Sequence, residues 1–351
     1  MKAKLQIQNF GPVNDLNIEI SKFNILIGPH ASGKSTISKV LAVIHAFDYN
    51  ISSVADKKRN TEILKQFLIY YRIENFLQRD SYWFFEDELF SFELRGEEIK
   101  INHKESLEKT SSQTEAYYFP AERIALPMIT ESLFEVVLAQ STLPAYFLQF
   151  GKDFTIARKN QKLFNLPILQ VEFEYREGKN VVILRDNKSL LLEEASSAIQ
   201  ANLPLLVILQ YPVKPTSLFV IEELELHGFP LLQKKLLYYI IERMKHPRLD
   251  RAYVILPTHS PYILSAANNL LFAAKVGNQS NSNVAAVNKV ISQKSWINKE
   301  DFSAFYLIDG RATSIVDDNT GLIDENALDS ISEDLAGEFD ELMKMYKPAT
   351  A

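Results

Sequence analysis

The stretch Asn24–Ala42, NILIGPHASGKSTISKVLA, decides the fold. An apolar run, Ile25-Leu26-Ile27, stops at Gly28, and the spacing G-x-x-x-x-G-K-S then runs to Ser35. Ile37, Val40, Leu41 and Ile44 follow at helical intervals. A buried strand, a tight loop and a helix are therefore expected in that order. Gly28 and Gly33 let the backbone curl so that successive N–H groups point inward, toward the positive end of the helix that follows. Gly28, Pro29, His30, Ala31, Ser32, Gly33, Lys34, Ser35 and Thr36 form the candidate nucleotide-binding loop. In it Lys34 reaches the β and γ phosphates, Ser35 ligates Mg²⁺ and Thr36 supports the α phosphate. Chance would set the four fixed positions in only about one chain of this length in a hundred. The bland alternative is a glycine-rich strand-to-helix turn.

Composition bounds the rest. The 351 residues suffice for one large α/β domain or two ordinary ones. A hydrophobic share of 46% with 23% charged residues is ordinary for a soluble globular protein. The net charge of −6 argues against a surface coated for nucleic acid, though a local basic patch stays open. With no cysteine, disulfides and thiolate metal sites are impossible, which suits a cytoplasmic protein. The N-terminus alternates apolar and polar residues, unlike a signal peptide, and LPLLVILQYPV from Leu203 falls short of the ~20 residues that cross a bilayer.

Along the chain, Leu5, Ile7 and Phe10, a Gly11-Pro12 turn, then Leu16, Ile18 and Ile20 predict an antiparallel pair. Residues 50–89 read as mostly helical, with an aromatic run YWFFEDELF, and FSFEL-RGEE-IKINH reads as a hairpin. YYFPAERIALP opens a strand and a helix, LQVEFEY-REGKN-VVILRD is a second hairpin, and SSAIQANLPLLVILQY starts another helix. SLFVI and AYVIL are buried strands, each followed by an amphipathic helix. GNQSNSNVAAVN reads as a surface loop, FYLIDGRATSIVDD as two short strands, with Asp317-Asp318 in a turn after them. The expectation is an α/β P-loop NTPase with a mostly parallel central sheet, an antiparallel β-subdomain and a helical lid or insert. The core would comprise 1–48 and 116–325, the insert 49–115, and a C-terminal helix 326–351.

Two later segments supply chemistry. In SLFVIEELELHGFP a buried strand ends in Glu222 and Glu223. Glu222 is placed to hold Mg²⁺ and Glu223 to polarise an attacking water; the alternative is the charged face of a starting helix. AYVILPTHSPYIL ends a second buried strand in Thr258, His259 and Ser260, where open α/β sheets bind ligands. His259 could donate a hydrogen bond to a γ phosphate, or be structural.

The three segments resemble the Walker A, Walker B and switch-histidine motifs of ABC-type ATPases, closest to the branch holding SMC and RecF heads and the OLD-family ATPases. LQIQNFGPVNDLNIEI is similar to the antiparallel start of those heads, and VIEELELHGFP to their Glu-Glu-Pro-Glu-x-His segment, with Leu224 in place of proline. The resemblance runs from residue 1 to about 270 and implies a signature helix that caps the γ phosphate of a second subunit's nucleotide. EEASSAIQANLPLL is similar to that signature, with Ser196, Ser197, Ala198 and Gln200 in its places. Ala198 stands where the family has glycine, so its methyl could hold the helix end off phosphate; a serine-capped ordinary helix is the alternative. FPAERIALP resembles a segment after the family's lid, which leaves Arg123 either near nucleotide or partner, or on the surface. No Q-loop is placed.

The resemblance implies an ATP- and Mg²⁺-dependent ATPase that closes as a head-to-head homodimer and controls a separate effector, a nuclease or toxin, in bacterial anti-phage defence. No Toprim nuclease domain or SMC-length coiled coil is legible. Lys57-Lys58-Arg59 and Arg158-Lys159 with Lys162 are solvated faces or DNA phosphate contacts. Two other functions stay open: a DNA-holding clamp with negligible turnover, and a P-loop kinase, which would have no use for the Glu-Glu pair.

Overall fold

The computed structural model describes residues 2–50, 57–104, 116–131, 143–210, 218–249, 251–324 and 337–343. Its centre is a six-stranded sheet in which the order of the chain is scrambled by crossovers. The strands are β3 (Phe23–Ile27), β7 (Ala116–Phe119), β12 (Leu218–Ile221), β13 (Tyr253–Thr258), β14 (Phe302–Ile308) and β15 (Arg311–Ser314). They lie in the order β15-β14-β3-β13-β12-β7, parallel except for the edge strand β15. All residues of β3, β12 and β13 are buried, as strands covered on both faces must be. Register places Ile27 opposite Thr258, Val220 opposite Ile255 and Ile221 opposite Phe119. The carboxyl ends of three neighbouring strands thus share one edge.

Helix α1 (Lys34–Asn50) leaves that edge and packs across β7, β12 and β13, its Ile37, Val40, Leu41 and Ile44 buried as the spacing predicts. Helices α2 (Lys57–Tyr70), α3 (Leu126–Glu131), α4 (Ala145–Asn160) and α5 (Ser197–Gln210) follow, then α6 (Pro230–Met244) and α7 (Pro261–Gly277). In α5 every residue from Gln200 to Leu209 is buried. A helix apolar on all sides is stable only when enclosed on all sides.

A second sheet holds β1 (Lys2–Phe10) and β2 (Val13–Ser21), the antiparallel pair expected at the start. It continues through β4 (Tyr82–Glu86), β5 (Phe90–Arg95) and β6 (Glu98–His103) in the order β2-β1-β4-β5-β6. The described part of 49–115 is thus tied to the N-terminal sheet by the β1–β4 pairing. The aromatic run expected to be helical is instead strand β4: Trp83 and Phe85 are buried while Tyr82, Phe84 and Glu86 are only partly so. Uniform aromaticity hid that period of two. The third sheet, β11-β10-β9-β8 (Ser189–Leu191, Lys179–Leu184, Val171–Arg176, Leu163–Leu166), contains the second hairpin.

The Asn/Ser segment expected as loop forms helix α8 (Asn281–Asn288), started by the Ser280 hydroxyl, which accepts the Asn283 N–H. Asp317 turns the chain after β15 by accepting the Thr320 N–H at 2.6 Å. Of the expected C-terminal helix, 337–343 is helical; the rest of 326–351 lies outside the described residues. No described helix is long and apolar enough to cross a membrane.

Candidate functional site: a phosphate loop faced by two strand ends

The loop between β3 and α1 has three residues with positive φ: Gly28 at 155°, Ala31 at 60° and Gly33 at 100°. Glycine is required at Gly28 for a second reason. A Cβ there would stand 2.2 Å from the Leu307 carbonyl oxygen of β14. Pro29, His30, Ala31 and Ser35 are exposed; Gly28, Ser32, Gly33, Lys34 and Thr36 are buried. No acidic residue occupies the first turn of α1, so the helix itself does not neutralise its positive end.

The Lys34 ammonium arches back over the loop, donating to the carbonyls of Gly28 at 2.7 Å and Pro29 at 2.8 Å and lying 3.5 Å from Ser32 Oγ. Burial holds this amine down to about 8, against the opposing pull of Glu223 and Glu225. Phosphate oxygens are stronger acceptors than these carbonyls and could replace them without loss of a bond.

Glu222 and Glu223 leave β12 beside this loop. Glu222 is buried; its Oε2 accepts the Ala121 N–H at 3.4 Å, while its Oε1 is buried without a hydrogen-bond partner. The Tyr118 hydroxyl stands beside this carboxylate. Burial, then the carboxylate's charge, hold the phenol far above its usual range. A buried carboxylate oxygen left unbonded is the kind of donor a hard cation such as Mg²⁺ takes. Glu223 sits at φ 44°, a left-handed conformation strained for a side-chain-bearing residue. Its carboxyl is raised above the ordinary range by burial first, then by the charges of Glu225 and Glu222.

His259 follows β13. Its ring lies 4.3 Å from that of His30, tilted by 34°. Burial, Lys34 and His30 all lower its pKa, so the imidazole is neutral at pH 7. Glu225, unassigned by the sequence reading, fixes this strand end: its carboxylate accepts from Thr258 Oγ1 at 2.8 Å and from the His259 N–H at 2.6 Å. Its one sequence signal was its place in the resembled Glu-Glu-x-Glu segment.

The structure corrects the reading of Arg123, which is neither on the surface nor open to nucleotide. It is wholly buried and donates to four carbonyls: Pro120 at 3.1 Å, Ala201 at 3.1 Å, Glu222 at 2.6 Å and Glu223 at 2.7 Å. Arg158 is also buried rather than part of a basic face. It bonds Asn180 and stacks 4.3 Å above the Tyr175 ring, which leaves Lys159 and Lys162 exposed there. In the other cluster Arg59 is exposed, and the side chains of Lys57 and Lys58 lie outside the described residues.

Ser196 and Ser197 are exposed at the start of α5 and Ala198 is half-buried. Gln200 turns inward to bond the Glu193 and Ala195 carbonyls at 2.9 and 2.7 Å. Among the described residues, no hydrogen bond or ring contact joins these four residues to the phosphate loop. Within one chain, then, Lys34, Glu223, Glu225, His30 and His259 come together, and the candidate signature does not join them.

A glycine-bent loop between a central parallel strand and a helix, facing carboxylates on the next strands, defines a P-loop ATPase. The sequence pattern described as "AAA domain, putative AbiEii toxin, Type IV TA system" matches residues 23–265, and the chain belongs to that family. No curated protein sequence matches significantly. Among solved structures, the SMC head domain from Thermotoga maritima is similar at 12% identity and TM-score 0.41, over 89% of this chain and 97% of that one. An Smc head bound to the C-terminal domain of ScpA, derived from Pyrococcus furiosus, gives 11% and 0.42, over 96% and 100%. The recombination mediator protein RecF-ATPrS of the RecFOR pathway gives 11% and 0.41, over 89% and 97%.

Proposed function

We propose that this chain binds and hydrolyses ATP and works as a nucleotide-driven dimeric switch for a separate effector. One observation carries the reading: Lys34, the Glu222–Glu223 pair and His259 leave three adjacent parallel strands at one edge. Lys34 and the α1 terminus take the phosphates, and Glu223 accepts a proton from water. Its raised pKa makes it a better base than an ordinary carboxylate. His259, neutral and fixed by Glu225, donates to the γ phosphate. Ser35 and Glu222 would hold Mg²⁺, whose charge offsets that of the phosphates.

The Ser196–Ser197 end is exposed and, among the described residues, makes no hydrogen bond to its own loop, which suits a role in trans. The twin's helix end would then close each site, in a head-to-head homodimer. The effector under its control would be a nuclease or toxin in cytoplasmic anti-phage defence; the family's description names a "putative AbiEii toxin" of a toxin–antitoxin system. DNA contact would fall to exposed Arg59, Lys159 and Lys162.

Ala198 favours a second reading, a DNA-holding clamp that binds ATP and barely turns over. One preparation separates them. Glu223→Gln should lower turnover by a factor of about 10²–10⁴ and give an ATP-dependent dimer on gel filtration. Wild-type protein that dimerises with ATP but does not hydrolyse it supports the clamp. A Glu223→Gln monomer with parental turnover contradicts both.

A further inference from the structure

The buried guanidinium of Arg123 sits at a crossing of three backbones. Glu222 and Glu223 are each held at both their backbone N–H and their backbone carbonyl. The Glu222 N–H donates to the Phe119 carbonyl at 3.0 Å and the Glu223 N–H to the Pro257 carbonyl at 2.9 Å. Both carbonyls then accept from Arg123, from Nη1 and Nη2 respectively. The third edge of the same guanidinium, Nε, donates to the Ala201 carbonyl in the second turn of α5. A second tie runs parallel: Asn202 of α5 donates to the Leu226 carbonyl at 3.3 Å and to the Ala198 carbonyl at 2.9 Å.

We propose that Arg123 is a positioning residue that joins the helix beginning at Ser196–Ser197 to the strand end bearing Glu222 and Glu223, so that a triphosphate seated on that helix end sets the chain's own carboxylates. The inference rests on the function proposed above and adds a route between the two nucleotide sites of the dimer.

The chemistry requires arginine. Its planar fork offers five N–H groups in fixed divergent directions, so one side chain meets carbonyls on three segments at once; a lysine ammonium is a single point. Burial lowers Arg123 only to about 10, while Glu225, Glu223, Glu222 and Glu122 favour its charge, so it is cationic at neutral pH. Two of the carboxylates that favour its charge, Glu223 and Glu222, belong to the residues whose carbonyls it holds. The strained φ of Glu223 shows what the clamp opposes: released, this peptide unit would relax toward the ordinary region and carry the carboxylate with it.

The test uses full-length wild type, Arg123→Lys and Asn202→Ala, with fluorescent ATP binding, Mg²⁺-ATP turnover against pH, and hydrogen exchange with and without ATP. Arg123→Lys should lose 30-fold or more in kcat while binding ATP within threefold of wild type. Asn202→Ala, which keeps the fork, should lose less than tenfold. In wild type, ATP should protect 197–210 and 222–226 together; in Arg123→Lys the two segments should respond separately, which general loosening of the fold would not produce. If Arg123→Lys fails to fold, exchange in Asn202→Ala carries the test, with weakened coupling expected. Variants with parental kcat and joint protection overturn the inference while leaving the site reading intact. Wild type that neither binds nor hydrolyses ATP overturns both.

Discussion

Glu225 offers the sharpest quantitative prediction. Its two oxygens take the Thr258 hydroxyl and the His259 N–H, and Thr258 Oγ1 in turn accepts the Ser260 N–H at 3.0 Å. A hydrogen bond to a charged group contributes about 1.5–3 kcal/mol and a neutral one about 0.5–1.5. Glu225→Gln can keep one acceptor for the His259 N–H but turns an amide N–H₂ toward Thr258, so the loss should be about 2 kcal/mol. Glu225→Ala leaves both donors without an acceptor, for a loss of about 3–5 kcal/mol less what water recovers at this half-buried site. Trp83 and Trp296 are both buried, so urea unfolding can be followed by tryptophan fluorescence. Because the same bonds aim His259, kcat should fall about tenfold for Gln and about a hundredfold for Ala. Equal stability and turnover in Gln and Ala would refute the reasoning, since it requires the charge and the second acceptor to count separately.

Two further outcomes follow from the loop. Lys34 is neutral above about 8 in the free protein, and phosphate restores its charge; ATP binding should therefore take up close to one proton at pH 9 and little at pH 7, and weaken as pH rises between them. Calorimetry in buffers of different ionisation enthalpy measures this, and uptake that is equal at both pH values contradicts it. Gly28→Ala should cost about 3 kcal/mol or more, from the positive φ and the overlap with Leu307, and show as a lower urea midpoint. An unchanged midpoint would mean that β14 does not press on the loop.

The loop, the two carboxylates and His259 were legible because each is announced locally. An apolar run long enough to be a buried strand stops abruptly at a glycine, at a carboxylate pair or at a Thr-His-Ser segment. Glu225 and Arg123 carry no such signal. Their partners are backbone carbonyls and a strand end brought near by the parallel pairing of β7, β12 and β13, which no local spacing encodes. The sequence leaves Arg123 either near nucleotide or partner, or on the surface, whereas four carbonyls and nearby carboxylates make its burial tolerable. Strand β4 was missed because every residue from Tyr82 to Phe85 is aromatic, so alternation of burial leaves no alternation of type. Helix α8 was missed because its Asn and Ser content suggests a turn, while its start depends on one capping hydroxyl.

The central claim is that residues from three strands meet one triphosphate. Titration of fluorescent ATP in Mg²⁺ into wild type and Lys34→Ala tests it directly. Saturable binding by wild type, weakened at least a hundredfold by Lys34→Ala in a chain that still unfolds at the wild-type urea midpoint, is the expected result. Equal affinity in the two proteins would contradict the account.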